Sequence, residues 1–133
     1  MARILNLIIL LFEIRGFALS FSERKWKTLI FYTQLSNLMA AVSSFLLVIF
    51  GQKEWVEVLR YLSVCGLIMT FSVTVCVLVP FFKDVKGLLF SGSCLYHHLL
   101  CPILAALSFF LAEDRVSISW MWLPVLLTFI LEF

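Results

Sequence analysis

Charged residues are scarce in this sequence of 133 residues, since Asp, Glu, Lys and Arg together make up only 14% of it. This is about half the share found in soluble domains. Glycine occurs five times and proline three times, and the sequence contains no Gly-rich phosphate loop, CxxC pair or zinc-protease motif. The net charge of +2 gives no case for a basic patch, so we expect no nucleic-acid partner.

Apolar residues take the place of the missing charge. They make up 63% of the chain, and the mean hydropathy is +1.10. Disorder is excluded, because it requires low hydrophobicity and high charge. Too few polar groups remain to cover a surface in water, so the composition predicts a protein whose outer faces are solvated by membrane lipids. The four cysteines lie in apolar runs, which is typical of buried thiols and not of a disulfide framework.

Five apolar runs are candidate membrane spans, because a hydrocarbon core about 30 Å thick requires roughly 20 helical residues. They cover about residues 4–21, 29–50, 58–82 and 88–111, with a fifth at about 117–133. The runs are continuous, which favours helices over an alternating barrel. The sequence therefore predicts an all-α, polytopic transmembrane helix bundle. We expect four full spans and a fifth at the C-terminus, in a single integral membrane domain (1–133) of a multi-pass protein of the cell membrane.

The ends and loops of the spans carry two weaker signals. Six Lys and Arg residues near the Glu23–Lys27 connection and the third connection, against four on the other side, favour a cytoplasmic Glu23–Lys27 loop. The fifth run has no polar tail after it. It predicts either a shortened version of a larger bundle or a last helix that needs a homo-oligomer or a partner helix to complete the bundle.

Polar and small residues form one stripe along each of the first four spans. The stripes are Asn6, Glu13, Gly16 and Ser20; Thr33, Asn37, Ala40 and Ser44; Ser63, Gly66, Thr70 and Thr74; and Ser91, Cys94, His98, Cys101, Ala105, Ser108 and Ala112. Steps of mainly three or four residues keep a stripe on one helical face. Such faces turn inward, away from lipid, and for most of these residues helix packing alone explains the pattern.

Thr33, Asn37 and His98 invite a chemical interpretation, because an amide and an imidazole inside a membrane need partners. Thr33 and His98 differ in predicted depth by only about 8 Å. A threonine hydroxyl beside an imidazole is a possible nucleophile with its general base, and Asn37 can orient the base or hold an oxyanion. His97 points about 100° away from His98, so the stripe places His98 inward and His97 beside it. A purely structural polar contact is the alternative.

Other uses of these residues are less favoured. Cys94, His98 and Cys101 share a face and suit zinc or copper, but one straight helix rarely supplies three ligands. Haem binding through either histidine has as little support, so we expect no metal and no cofactor. Glu13 has two candidate partners, Arg60 and a charged His98.

Several short segments resemble the motifs of one known family. Phe31-Tyr-Thr-Gln-Leu-Ser-Asn-Leu38 resembles the F-x-T-x-x-S-N-L signature of the Pr-six-Pr family of bacterial membrane proteins. Tyr96-His-His-Leu-Leu-Cys-Pro102 resembles its H-x-x-x-P helix. Arg60-Tyr-Leu-Ser and Trp122-Leu-Pro-Val resemble two further helices. These segments occur in the family's order over roughly residues 29–127, although such families usually show five or six spans.

That family is distantly similar to the androgen-induced and androgen-dependent integral membrane proteins, which are threonine hydrolases of fatty acid esters of hydroxy fatty acids. The resemblance implies that Thr33 matches the nucleophile and His98 the histidine of the bacterial pattern, while the animal proteins point to His97. We therefore expect a hydrolase of lipid esters with an acyl-chain substrate. The alternative is a non-catalytic multi-pass protein that acts as a scaffold or as a subunit of a membrane assembly.

Overall fold

The computed structural model describes residues 1–24, 32–113 and 118–132, and all regular secondary structure in these residues is helical. Four helices are long and apolar enough to cross a membrane. The predicted all-α transmembrane bundle with four full spans is therefore confirmed. The predicted starts of two spans, at 29 and 117, lie outside the described residues, as do three of the ten cations used for orientation, Lys25, Lys27 and Arg115.

The helices follow the predicted runs closely. Helix α1 spans Ala2–Arg24 and α2 spans Tyr32–Phe50. Helix α3 runs through Glu54–Phe82 and α4 through Gly92–Ala112, and α5 spans Leu123–Glu132. Ten residues of α5 extend about 15 Å, half the hydrocarbon thickness. The predicted fifth span is thus a short helix in the described chain.

Two residues with left-handed backbone end the second and third helices. Gly51, with φ of 75°, follows α2, and Lys83, with φ of 56°, follows α3. Glycine adopts this conformation without a Cβ penalty, which makes it a common helix terminator. Helix α3 then begins with Glu54 and Glu57 in its first turn, where carboxylates interact favourably with the helix dipole.

A widened π-helical turn precedes the proline in each of the two interrupted helices. Residues Thr74–Leu78 precede Pro80 in α3, and residues Leu95–Leu100 precede Pro102 in α4. Proline has no N–H, and its ring clashes with the carbonyl four residues earlier in a regular α-helix. A π turn, with its i to i+5 hydrogen bond, moves that carbonyl away. It also changes which residues share a face.

The four long helices form a ring in which α1 and α3 each pack against α2 and α4. The short helix α5 lies against α3. Large apolar side chains such as Leu11, Phe45 and Phe110 are exposed on the outside of the bundle. The bundle thus turns its apolar side chains outward and its polar side chains inward, as a lipid solvent favours.

Apolar and polar layers alternate along the interior of the bundle. One apolar layer consists of Ala2, Leu47 and Val56, and a second of Ile9, Ala40, Val64, Leu67 and Ala105. A polar network around Arg60 lies between these two layers. A second polar region, around His97, lies beyond the second apolar layer. Asn6 and Glu13, which reach into the two polar regions from α1, are seven residues and therefore about 10 Å apart along the helix.

Candidate functional site at a buried carboxylate–histidine pair

The predicted inward stripes of the first three helices are confirmed at most positions. Asn6, Glu13, Gly16, Ser20, Asn37, Ala40, Ser44, Ser63, Thr70 and Thr74 are all buried, whereas Thr33 and Gly66 are half-buried. Only the interior of the bundle provides hydrogen-bond partners for these groups, because lipid tails provide none.

The predicted inward stripe of α4 is wrong in the segment that precedes Pro102. The buried residues there are Ser93 and His97, while Cys94 and His98 are half-buried and Ser91 is exposed. Regular helical steps place His98 inward, but the π turn of Leu95–Leu100 has more residues per turn. Steps of four residues, from position 93 to 97 to 101, therefore stay on the inner face, and His97 is the inward histidine.

His97 forms a buried pair with Glu13 from α1. Its Nδ1 atom lies 3.0 Å from Glu13 Oε2, and both side chains are 0% exposed. Cys101, one helical turn further along α4, lies beside the Glu13 carboxyl. The two predicted partners of Glu13 are both wrong. The π turn directs His97, and not His98, towards Glu13 on α1, and Arg60 pairs with Glu113. Glu13, Gly16, Phe17, His97 and Cys101 are called the His97 cluster below.

The backbone of α1 is shaped to receive the imidazole of His97. A Cβ atom at Gly16 would lie 2.7 Å from His97 Cε1 and 2.9 Å from its Nε2. The ring of Phe17 meets the imidazole edge-on, with 5.0 Å between the ring centroids. Only glycine at position 16 leaves room for the ring, so α1 fixes the plane of the imidazole on one side and Glu13 fixes its rotation.

Several polar atoms in this half of the bundle have no hydrogen-bond partner among the described residues. They are Glu13 Oε1, Gln34 Oε1, Asn37 Oδ1 and His97 Nε2. Leaving such a group buried and unsatisfied costs about 1–3 kcal/mol, and native structures contain few such groups. Each such atom calls for a partner, such as water, an ion or a ligand, or for a catalytic role, so this half of the bundle is the candidate site.

His98 pairs with α3. Its Nδ1 lies 2.9 Å from the hydroxyl oxygen of Thr74, and Thr74 also donates to the carbonyl of Thr70 at 2.8 Å. Because the hydroxyl hydrogen of Thr74 is used on that carbonyl, the oxygen accepts a hydrogen from Nδ1. Thr70 in turn lies 3.1 Å from Ser36, between their hydroxyl oxygens, so a hydroxyl chain links α4 through α3 to α2.

Thr33 and Asn37 lie one turn apart on α2, as their spacing predicts. Asn37 Nδ2 donates to the Thr33 carbonyl at 2.6 Å, and the hydroxyl of Ser36 donates to the same carbonyl at 2.9 Å. No hydrogen bond joins Thr33 to His98 among the described residues. Helix α2 contacts the Leu95–Leu100 turn, which carries both histidines. The catalytic roles of Thr33, Asn37 and His98 stay predictions.

The polar network around Arg60, called the Arg60 network below, joins four helix segments, and its hydrogen bonds are more fully satisfied than those around His97. Arg60 donates to the Glu113 carboxylate through Nε and Nη2 at 2.9–3.3 Å, with side chains 0% and 2% exposed. Ser108 and Asn6 donate to Glu113 at 2.6 and 3.0 Å, and Arg60 Nη1 donates to Ser44 at 3.2 Å. The predictions from sequence missed Glu113, which lies just past the apolar run and carried no periodic signal.

The electrostatics of Glu113 follow from these contacts. Burial alone would raise the pKa of its carboxyl group. The Arg60 guanidinium, with the hydroxyl of Ser108 and the amide of Asn6, instead holds that pKa below its ordinary value. The Glu113 carboxylate is therefore an ionised partner of Arg60 at neutral pH. The Arg60 network holds the four long helices together at this end of the bundle.

An apolar cavity of about 440 Å³ opens between α3 and α5, and Tyr32 at the start of α2 also lines it. Its lining consists of Tyr32, Leu62, Cys65, Gly66, Met69, Pro124, Val125, Leu127 and Phe129. Its volume lies within the range of about 300–1,000 Å³ typical of small-molecule sites. The chemistry of its walls suits a hydrocarbon chain.

The described residues contain no group of three His, Cys, Asp or Glu side chains placed to hold a metal ion. Cys101 is buried, whereas Cys94 and His98 are half-buried, so the π turn takes these three potential ligands off a common inner face. Comparison of the chain with protein-family models, with curated proteins and with solved structures finds no match.

Proposed function

We propose that this integral membrane protein is a hydrolase of lipid esters whose nucleophile is Thr33 and whose general base is a histidine of the Tyr96–Pro102 segment. The observation that carries the proposal is the unpartnered Nε2 of His97, buried inside the bundle on a turn that contacts the helix of Thr33 and Asn37. The resemblance of both segments to the Pr-six-Pr family supports the same pair of residue types.

The proposed reaction needs only a hydroxyl, an imidazole and water. The imidazole takes the proton of the Thr33 hydroxyl while Thr33 Oγ1 bonds to the ester carbonyl carbon. The tetrahedral oxyanion then collapses, the alcohol leaves with the proton from the imidazolium, and an acyl-threonine remains. Water gives a proton to the imidazole and attacks the acyl carbon, and the acid departs as Thr33 recovers its proton.

Asn37 has the donors for an assisting role. One hydrogen of its amide is used on the Thr33 carbonyl, which leaves the other for the oxyanion of the tetrahedral intermediate. The backbone contact also ties the amide to the residue that carries the nucleophile. In the proposed reaction, Asn37 therefore donates a hydrogen bond to the oxyanion.

The apolar surfaces near the start of α2 support an acyl-chain substrate. Tyr32, its neighbour in sequence, lines the apolar cavity between α3 and α5, and the outer faces of the bundle are apolar. An acyl chain entering sideways from the membrane would find hydrocarbon walls along this route, which favours a long-chain ester over a water-soluble one. Location in the cell membrane and a homo-oligomer or partner helix remain predictions.

The test is ester hydrolysis by the purified protein in mixed micelles, with a fatty acid ester of a hydroxy fatty acid as substrate. We expect the wild type to turn over the ester and to be labelled at Thr33 by a fluorophosphonate probe. Thr33→Ala should lose both properties, and Thr33→Ser should keep measurable activity. Ser72→Ala, which removes a lipid-exposed hydroxyl from α3, is the matched control.

Equal rates for the wild type and Thr33→Ala would overturn the proposal. Absence of both turnover and labelling in the wild type would do the same, and would favour the alternative of a scaffold or assembly subunit. Recovery of a stoichiometric partner protein from native membranes would then identify that role.

A further inference from the structure

We infer that Glu13 is a positioning residue of the proposed hydrolase, which holds the His97 imidazole with the proton on Nδ1 and so makes Nε2 the proton acceptor. The inference rests on the proposed function and deepens it, because it selects His97 over His98 as the base and adds a third residue from another helix.

The pairing of the two nitrogens of His97 is the first ground. Nδ1 lies 3.0 Å from Glu13 Oε2, whereas Nε2 is buried and has no partner among the described residues. An ionised carboxylate only accepts hydrogen bonds, so an imidazole beside it carries its hydrogen on the facing nitrogen. The other nitrogen then has a free lone pair, which is what a general base requires.

The shape of the surroundings is the second ground. Gly16 admits the imidazole against the backbone of α1, where a Cβ would lie 2.7 Å from the ring, and Phe17 closes one edge of the ring. The imidazole is thus held from two directions by α1 while its Nε2 stays unused. Most buried polar side-chain atoms in native structures have a hydrogen-bond partner, so an unused Nε2 in so closely fitted a ring sets His97 apart.

The contrast with His98 is the third ground. His98 is half-buried, and its Nδ1 is matched to the hydroxyl of Thr74. His97, in contrast, is paired through Nδ1 with the Glu13 carboxylate, and both of these side chains are 0% exposed. A carboxylate, an imidazole and a hydroxyl acting in series form the general arrangement for activating a hydroxyl nucleophile.

The first experiment compares Glu13→Gln with the wild type in the ester assay, at full kinetic resolution. We expect kcat to fall by about 100-fold or more, as happens when the orienting carboxylate of such a series is neutralised, with KM nearly unchanged. His97→Gln should lose at least as much, and His98→Gln should keep most of kcat. Glu54→Gln is the control, because it removes an exposed carboxylate from the first turn of α3 and should keep the wild-type kcat.

The second measurement does not depend on activity and is made on the wild-type protein. Nitrogen-15 spectra of histidine-labelled wild-type protein at neutral pH, assigned with His98→Gln, report which nitrogen of His97 carries hydrogen. We expect a protonated Nδ1 and an unprotonated Nε2. A protonated Nε2, which a carboxylic acid at Glu13 or a charged imidazole would produce, overturns the inference.

The two proposals fail in different ways. If Thr33→Ala abolishes hydrolysis but Glu13→Gln retains the wild-type kcat, the hydrolase stands and the role of Glu13 is refuted. If the wild type hydrolyses no ester, the hydrolase itself is refuted, and the role of Glu13 in it falls with it. A fall in kcat for Glu54→Gln equal to that for Glu13→Gln would show that the effect is not specific to Glu13 and would also overturn the inference.

Discussion

The Arg60 network allows one prediction to be worked out from contact distances. Arg60→Met keeps an apolar stem of similar length but removes the guanidinium, which donates three hydrogen bonds of 2.9–3.3 Å to Glu113. Both side chains are fully buried, so solvent screens their interaction very little. Removing one partner of a buried pair typically costs about 3–5 kcal/mol.

The remaining contacts decide where in that range each variant falls. After Arg60→Met, the Glu113 carboxylate keeps its bonds from Ser108 and Asn6, so we expect about 3 kcal/mol, the lower end of the range. This corresponds to roughly a 100-fold shift of the unfolding equilibrium. Glu113→Gln leaves the guanidinium without a counter-charge, so about 5 kcal/mol is expected. The double variant should cost less than the sum.

The assay is reversible unfolding in mixed micelles, followed by tryptophan fluorescence. Arg15→Met is the matched control, because Arg15 is exposed on α1 and a surface change of this kind usually shifts stability by less than about 0.5 kcal/mol. A cost for Arg60→Met no larger than that of Arg15→Met would refute the reasoning. Strict additivity in the double variant would refute the pairing itself.

Three further outcomes are expected. Gly16→Ala should destabilise the bundle by about 1–3 kcal/mol and lower ester turnover, because its methyl group would lie 2.7 Å from the His97 ring; wild-type melting and turnover would contradict this close approach. The pKa of Glu113, which burial raises but the arginine partner and other donors lower overall, lies below the value of about 4.3 in an unfolded chain. Its contribution to stability is therefore complete above that pH and is lost as the pH falls through the lowered pKa; a stability profile of Glu113→Gln should lack this step. Thr74→Val removes the hydroxyl that pairs with His98, so we expect a loss of about 1 kcal/mol in unfolding free energy with kcat nearly unchanged, and a collapse of kcat would point to His98 as the base.

Composition and run length were sufficient for the membrane fold. With 14% charged residues, the chain has no polar face to present to water, and continuous apolar runs of about 20 residues form helices because every backbone group must be bonded internally. The inward stripe of α1 was equally predictable. Asn6, Glu13, Gly16 and Ser20 are spaced at helical intervals, and no proline interrupts that helix.

Tertiary structure alone decided which histidine faces the interior and which charges pair. Pro102 forces a π turn, and the change in residues per turn carries His97 to Glu13 instead of placing His98 there. Periodic reasoning assumes one residue spacing along a helix, so it wrongly places Ser91, Cys94 and His98 of α4 on the inner face. Glu113, which follows α4, pairs with Arg60 inside α3. Residue spacing along the chain does not show which residues of two different helices lie close together in space.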